Sequence, residues 1–391
     1  MRFAISPTIE KVHFPPISEV KGWIAGRTFP PERPLVDLCQ AVPDYAPAPE
    51  LIAHLKPLLD DPLTSRYSPD EGLPETRQAV CSWYRRVYGA APNPDQLCLT
   101  IGASQAFWLA LTVLCREGDE VVVQTPYYFD HAMGLDMMGV RSVHAPFDEA
   151  AGGLPDVGVI SRLITAKTRA ILLVTPSNPT GAVTPPPILR RLFELARARG
   201  IALILDETYN AFIDGPPHDL FVDSAWSDHL VQLASFGKTF ALTGYRAGAL
   251  VASERFIYHA LKVQDTMAVC QPRITQQAVR FGADHLDAWV VANRRMMQRR
   301  HDCFRTEFLR PGNPFTLAAS GGFFAWARHP LADRSGREVA RRLADEANLL
   351  CLPGEVFGPG MEGYLRLAFG NIREDRIPSA VQRFFEFQPE G

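Results

Sequence analysis

From about residue 97 onward, short apolar runs alternate with longer stretches of mixed polarity. Leu97-Cys98-Leu99-Thr100-Ile101, Glu120-Val121-Val122-Val123-Gln124 and Ala170-Ile171-Leu172-Leu173-Val174 read as strands. Ile201-Ala202-Leu203-Ile204-Leu205 and Leu230-Val231-Gln232-Leu233-Ala234 continue the series. The mixed stretches from about Ser104 to Arg116 and from Ile188 to Arg199 read as helices. Runs of β-branched residues and leucine without polar alternation predict a parallel sheet covered on both faces. Such sheets collect ligands at the carboxyl ends of their strands.

The two ends of the chain have a different texture. Residues 1 to about 34 are rich in proline and close on Phe29-Pro30-Pro31-Glu32-Arg33-Pro34, which predicts an extended arm rather than a long helix. Past Asp287 an arginine-rich helix from roughly Leu286 to Leu309 leads into Gly321-Gly322-Phe323-Phe324-Ala325-Trp326, read as a strand. A helix over about Gly336 to Ala347 and two short strands follow. The division expected is an arm over 1–40 that contributes to a small domain, a large domain over 41–286 and a small α+β domain over 287–391.

Composition adds exclusions. Hydrophobic residues make up 47% and charged residues 21%, an ordinary globular balance. A formal net charge of −3 gives no basic surface for nucleic acid or anionic membrane. The seven cysteines are scattered without a CxxC pair, so neither a disulfide framework nor a metal site is expected. With no apolar leader and no run long enough to span a bilayer, a cytoplasmic location is the expectation.

Candidate chemistry falls just past the strands. Gly102-Ala103-Ser104-Gln105 is a small-residue turn opening a helix, where free N–H groups and the helix dipole suit a phosphate. Thr175-Pro176-Ser177-Asn178-Pro179-Thr180-Gly181 pins one amide side chain between prolines, and Asp206-Glu207-Thr208-Tyr209 sets a carboxylate and a phenol at a strand end. Lys238 follows the Leu230–Ala234 run, with Ser235 before it and Arg246 after it. Lysine occurs elsewhere only at 11, 21, 56, 167 and 262, since the chain otherwise uses arginine for positive charge. An amine can form an imine with an aldehyde, which a guanidinium does not usefully do. Taken alone, each motif also fits a plain cap, a packed aromatic or a surface charge.

Together they resemble the class I/II, fold type I aminotransferases that depend on pyridoxal 5'-phosphate, the aspartate aminotransferase superfamily. Asn178 sits in a segment like the family's N-P-x-G loop, and Asp206 and Tyr209 match its D-x-x-Y pair. Ser235 to Arg246 matches S-x-x-K…G-x-R, and Tyr67 to Glu75 matches Y-x-x-x-x-G-l-p-e. Arg366 in Tyr364-Leu365-Arg366-Leu367 matches the arginine near the C-terminus. The likeness runs in order from about Pro43 to Phe369.

The resemblance implies a large domain built on a mostly parallel seven-stranded sheet, plus the smaller α+β domain. It implies that Lys238 carries the cofactor as a Schiff base and then moves the Cα proton. Asp206 would pair with the pyridine nitrogen, while Asn178 and Tyr209 would bond the ring oxygen. Ala103, Ser104, Ser235, Arg246 and Tyr67 would hold the phosphate, Tyr67 from a neighbouring subunit, which implies a homodimer with sites at the interface. An aromatic from Pro126-Tyr127-Tyr128 would stack on the ring; the family pattern favours Tyr128, with Tyr127 the alternative. Arg366, with Ala41 and Asn178, would take the substrate carboxylate.

Departures from the pattern lie at Ala41, where a glycine is usual, at Gly237, which lacks a hydroxyl, and at Tyr245. The activity expected is ping-pong transfer of an amine from an L-amino acid to a 2-oxo acid. The same residues would also serve β-elimination, cyclisation or decarboxylation, and a non-catalytic cofactor-binding module is the remaining rival. Tyr45, Tyr67, Tyr128, Phe323 and Phe324 lean the substrate toward neutral or aromatic side chains.

Overall fold

A computed structural model describes residues 3–388. Its strands, in chain order, begin with β1 (Val36–Asp37), β2 (Leu97–Ile101), β3 (Glu120–Gln124), β4 (Arg141–Ala145), β5 (Thr168–Val174), β6 (Ala202–Asp206), β7 (Leu230–Ala234) and β8 (Ala247–Val251). They continue with β9 (Thr316–Gly321), β10 (Phe324–Arg328), β11 (Leu349–Leu350), β12 (Leu352–Pro353) and β13 (Tyr364–Leu367). A seven-stranded sheet runs in the order β2-β8-β7-β6-β5-β3-β4. Its ladders from β4 through β3, β5 and β6 to β7 are parallel, and β8 lies antiparallel between β2 and β7.

The unbroken apolar runs follow from burial on both faces. Along β6, Leu203 and Leu205 enter one core with Leu192, Phe193 and Trp83, while Ala202 and Ile204 enter the opposite core with Phe107 and Leu109. This period-two split is what a strand with two covered faces must show. The Pro186–Arg199 helix starts on a proline and stops at Gly200, φ 64°, where an L side chain would be strained. Its Leu192 and Phe193 are fully buried, each worth roughly 1.5–3 kcal/mol of transfer free energy.

The second sheet is antiparallel, ordered β12-β13-β10-β9, and packs with the helices Asp287–Phe308, Gly336–Ala347 and Ile377–Phe385 around Phe304, Phe308 and Phe384. The segment 321–326 is not one strand. β9 ends at Gly321, Gly322 turns with φ 52°, and β10 starts at Phe324, so the two glycines make the tip of a hairpin. The arm also differs from an extended chain: Pro7–Glu10 and Pro16–Gly22 are short helices. Proline bars a helix interior but suits its first position. Past the arm, β1 pairs in parallel with β11, Val36 opposite Leu349.

One close approach joins the two sheets. A Cβ on Gly321 would sit 2.3 Å from the Gly181 carbonyl oxygen, and one on Gly181 would sit 2.3 Å from the Gly321 nitrogen. Only two glycines allow the Thr175–Gly181 loop to lie on the hairpin tip this tightly.

Candidate active site

The carboxyl ends of β5, β6 and β7 and the helix that follows β2 open on one cavity of about 400 Å³. Ala103, Ser104, Tyr128, Asn178, Asp206, Tyr209, Ser235, Lys238 and Arg246 line it. Ala41 and Arg366 reach it through direct contacts with Lys238 and Asn178. Tyr67 does not line it, and its side chain is 77% exposed. A larger hollow of about 560 Å³ lies between Trp23 and the Gly336–Ala347 helix, but its arginines are paired with neighbouring carboxylates.

Lys238 stands on a single helical turn, Phe236–Thr239, directly after β7. Its Nζ donates to the Ala41 carbonyl at 2.6 Å and lies 5.9 Å from the centre of the Tyr209 ring. Burial, then the nearby guanidiniums of Arg246 and Arg366, bring the amine down to about 8. A Cβ on Gly237 would fit beside the lysine in ordinary contact, 3.5 Å from the Leu242 carbonyl oxygen and the Ser235 hydroxyl.

An anion cradle forms at the far end. The helix Gly102–Leu114 presents its first-turn N–H groups, which have no intrahelical partner. Gly102 has φ 73°, and a Cβ on it would lie 2.6 Å from Arg246 Nη2. A Cβ on Gly248 would strike the Gly102 carbonyl carbon at 2.4 Å. The backbone and the guanidinium therefore meet only because both positions are glycine. Ser235 makes no capping bond of its own.

The Asp206 carboxylate is buried at the end of β6. One oxygen accepts the Thr208 N–H at 2.9 Å, and the other lies 3.2 Å from His131 Nε2. His131 is itself held between the rings of Phe107 and Tyr128, at 4.4 and 5.2 Å. Sequence reasoning misses His131; its signal is its place one helical turn beyond Tyr128, on the helix that follows β3. Tyr128 faces the cavity and gives its hydroxyl to Asp130, whereas Tyr127 packs on His144 outside it. Burial pushes the phenols of Tyr128 and Tyr209 upward, so both stay protonated donors.

Arg366, on β13, is 1% exposed and lies between the rings of Phe324 and Phe357. Its Nη1 donates to Asn178 Oδ1 at 3.0 Å, while Nε and Nη2 have no partner among the described residues. A buried guanidinium with two open donors is costly unless an anion completes it. A phosphate cradle, a buried carboxylate, an amine near neutrality and an open fork are the donor set that pyridoxal 5'-phosphate and an amino-acid carboxylate need. The residues fit that cofactor.

Residues 33–384 match the sequence profile of the family described as aminotransferase class I and II. The chain is 30% identical over 377 residues to an aromatic aminotransferase of Arabidopsis thaliana, covering 94% of this chain and 92% of that one. It is 27% identical over 346 residues to an aspartate aminotransferase of Pyrococcus abyssi, covering 87% and 88%. The solved aspartate aminotransferase of Thermus thermophilus with maleate superposes with a TM-score of 0.89 at 25% identity, over 99% of this chain and all of that one.

Proposed function

The chain belongs to the class I and II aminotransferase family, and from that premise we propose how its own residues serve the reaction. The activity is amine transfer dependent on pyridoxal 5'-phosphate. When bound, the cofactor supplies an aldehyde for imine exchange and a ring that accepts electrons from the substrate Cα.

Lys238 is the residue that would hold the cofactor's aldehyde, and its freed amine would take and return the substrate Cα proton. The observation that carries the assignment is a lysine amine aimed into the cavity that Asp206, Asn178 and Arg246 also line, and its lowering to about 8 suits both steps near neutral pH. Asp206, oriented by His131, would accept the ring nitrogen's N–H and so keep that nitrogen protonated. Tyr209 and Asn178 would donate to the ring oxygen, and Tyr128, which lines the same cavity, would cover the ring. The N–H groups of Ala103 and Ser104, the Ser235 hydroxyl and Arg246 hold the phosphate. Arg366 closes its two open donors on the substrate carboxylate. An amino acid leaves as its 2-oxo acid, and a second 2-oxo acid leaves carrying the amine.

For the side chain, a neutral or aromatic donor fits best. Lys238 and Arg246 are the only cations lining the cavity among the described residues, and both are committed; Trp108, Tyr128 and Met133 are apolar surfaces, and Asp130 adds negative charge. The relatives named for aromatic substrates agree with this, and those named for aspartate supply the competing outcome. Tyr67, exposed and away from its own cavity, serves a second copy in a homodimer, and the protein works in the cytoplasm. The working division is an arm over 1–40, a large domain over 41–286 and a small domain over 287–391.

The test is a donor screen on the cofactor-loaded protein, following loss of visible absorbance. Phenylalanine or methionine should react at least about tenfold faster than aspartate, the value of one well-made apolar contact. Aspartate reacting fastest would overturn the substrate class, and Lys238→Ala with an unchanged spectrum would overturn the site.

A further inference from the structure

On the opposite face of the sheet from Asp206 lies a polar cluster that the chemistry above leaves unused. Neighbouring residues at a strand end point to opposite faces, so Glu207 turns away from the cavity into the core under the Pro74–Tyr88 helix. It is 1% exposed. One of its oxygens, Oε2, receives three donors: the Tyr88 hydroxyl at 3.0 Å, His218 Nε2 at 3.1 Å and Gln232 Nε2. His218 Nδ1 accepts the Leu220 N–H, which leaves the ring proton on Nε2. Nothing bonds Oε1.

The Tyr88 hydroxyl is the hub. While donating to Glu207 it accepts from Asn210 Nδ2 at 2.5 Å and from Gln232 Nε2 at 2.8 Å. Glu207 and Asn210 bracket Thr208-Tyr209, and the Asn210 N–H closes the turn on the Glu207 carbonyl at 3.1 Å. A single oxygen thus grips both flanks of the turn whose middle carries the Tyr209 phenol and whose start carries Asp206. Burial, and then the Glu207 carboxylate, raise the Tyr88 phenol well above its ordinary value, so the hub keeps its proton.

We propose that Tyr88 is a positioning residue for amine transfer: its hydroxyl holds Glu207 and Asn210 and thereby sets where Tyr209 and Asp206 meet the cofactor ring. This rests on the cofactor reading given above. Tyr84 supplies an internal comparison. Its ring stacks on Tyr88 at 5.2 Å and its hydroxyl donates to Gln232 Oε1 at 2.6 Å, in the same network but touching neither flank of the turn.

The experiment compares Tyr88→Phe with Tyr84→Phe. In the loaded enzyme, the pH midpoint of the visible absorbance should move upward by about 0.5–1 unit in Tyr88→Phe, because a phenol no longer aimed at the ring oxygen stops favouring the deprotonated form. In the cofactor-free protein, amide exchange over residues 206–210 should quicken about tenfold in the same variant. Tyr84→Phe should lose similar thermal stability and change neither readout. An unmoved Tyr88→Phe midpoint, or equal movement in both variants, overturns the positioning role. If Tyr88→Phe does not fold, Asn210→Ala decides by the same two readouts. A parent protein without a lysine-dependent visible band would overturn the cofactor reading instead, so the two failures are distinct.

Discussion

Burial and two neighbouring guanidiniums lower Lys238 from 10.5 to about 8, which suits the reagent role proposed for it. At pH 7 roughly a tenth of such amines are neutral, against fewer than about one in a thousand for an ordinary lysine. The same shift has a consequence for folding. Because the folded value lies below the unfolded one, the unfolded chain holds the extra proton between about pH 8 and 10.5, and stability rises with pH across that window. Lys238→Met should therefore stabilise the cofactor-free protein at pH 7. Urea titrations should show its advantage over the parent shrinking by up to about 3 kcal/mol as pH climbs to 10.5; a constant difference would contradict the lowered amine. Lys238, Asp206 and Arg366 could be singled out in the sequence because imine chemistry, ring protonation and a carboxylate fork each demand one residue type, and the structure gathers the three around one cavity. His131 and Tyr88 could not, since their roles exist only through contacts with residues that lie far along the chain.

At the scale of elements, the strands of the large sheet could be read because burial on both faces forces uninterrupted apolar runs. The Gly321–Trp326 stretch misled for the same reason: an apolar run is silent about a turn inside it, and the glycine pair was the overlooked sign. That pair also makes a prediction. In Gly321→Ala the new methyl meets the Gly181 backbone, which has no side chain to yield, so the loop must shift. A loss of roughly 1–3 kcal/mol in thermal unfolding is expected. Because the shifted loop carries Asn178, the partner of Arg366, KM for the amino donor should rise several-fold as well. Normal KM with lowered stability would confine the contact to packing. The arm was misjudged because proline was taken only as a helix breaker, whereas at Pro7 and Pro16 it starts helices.

For the whole molecule, the placement of Tyr67 is the informative feature. The proposed homodimer would account for a phenol that matches the family's phosphate-binding segment yet stands exposed outside its own cavity. Lys238→Ala and Tyr67→Ala should each be nearly inactive alone. Refolded together they should regain activity, because a hybrid dimer contains one site with both residues intact. Activity no greater than the sum of the separate variants would place Tyr67 outside the site. Sedimentation of the loaded parent should show twice the chain mass.

The partner of the Lys238 amine is the Ala41 carbonyl, a peptide oxygen that every amino acid carries. An alanine scan across this stretch would pass over it, reporting only the bulk of each side chain. The contact is thus hidden from genetics and open to chemistry. Replacing the amide that contains this oxygen with an ester weakens the acceptor while keeping its shape, and the amine's titration would register the change.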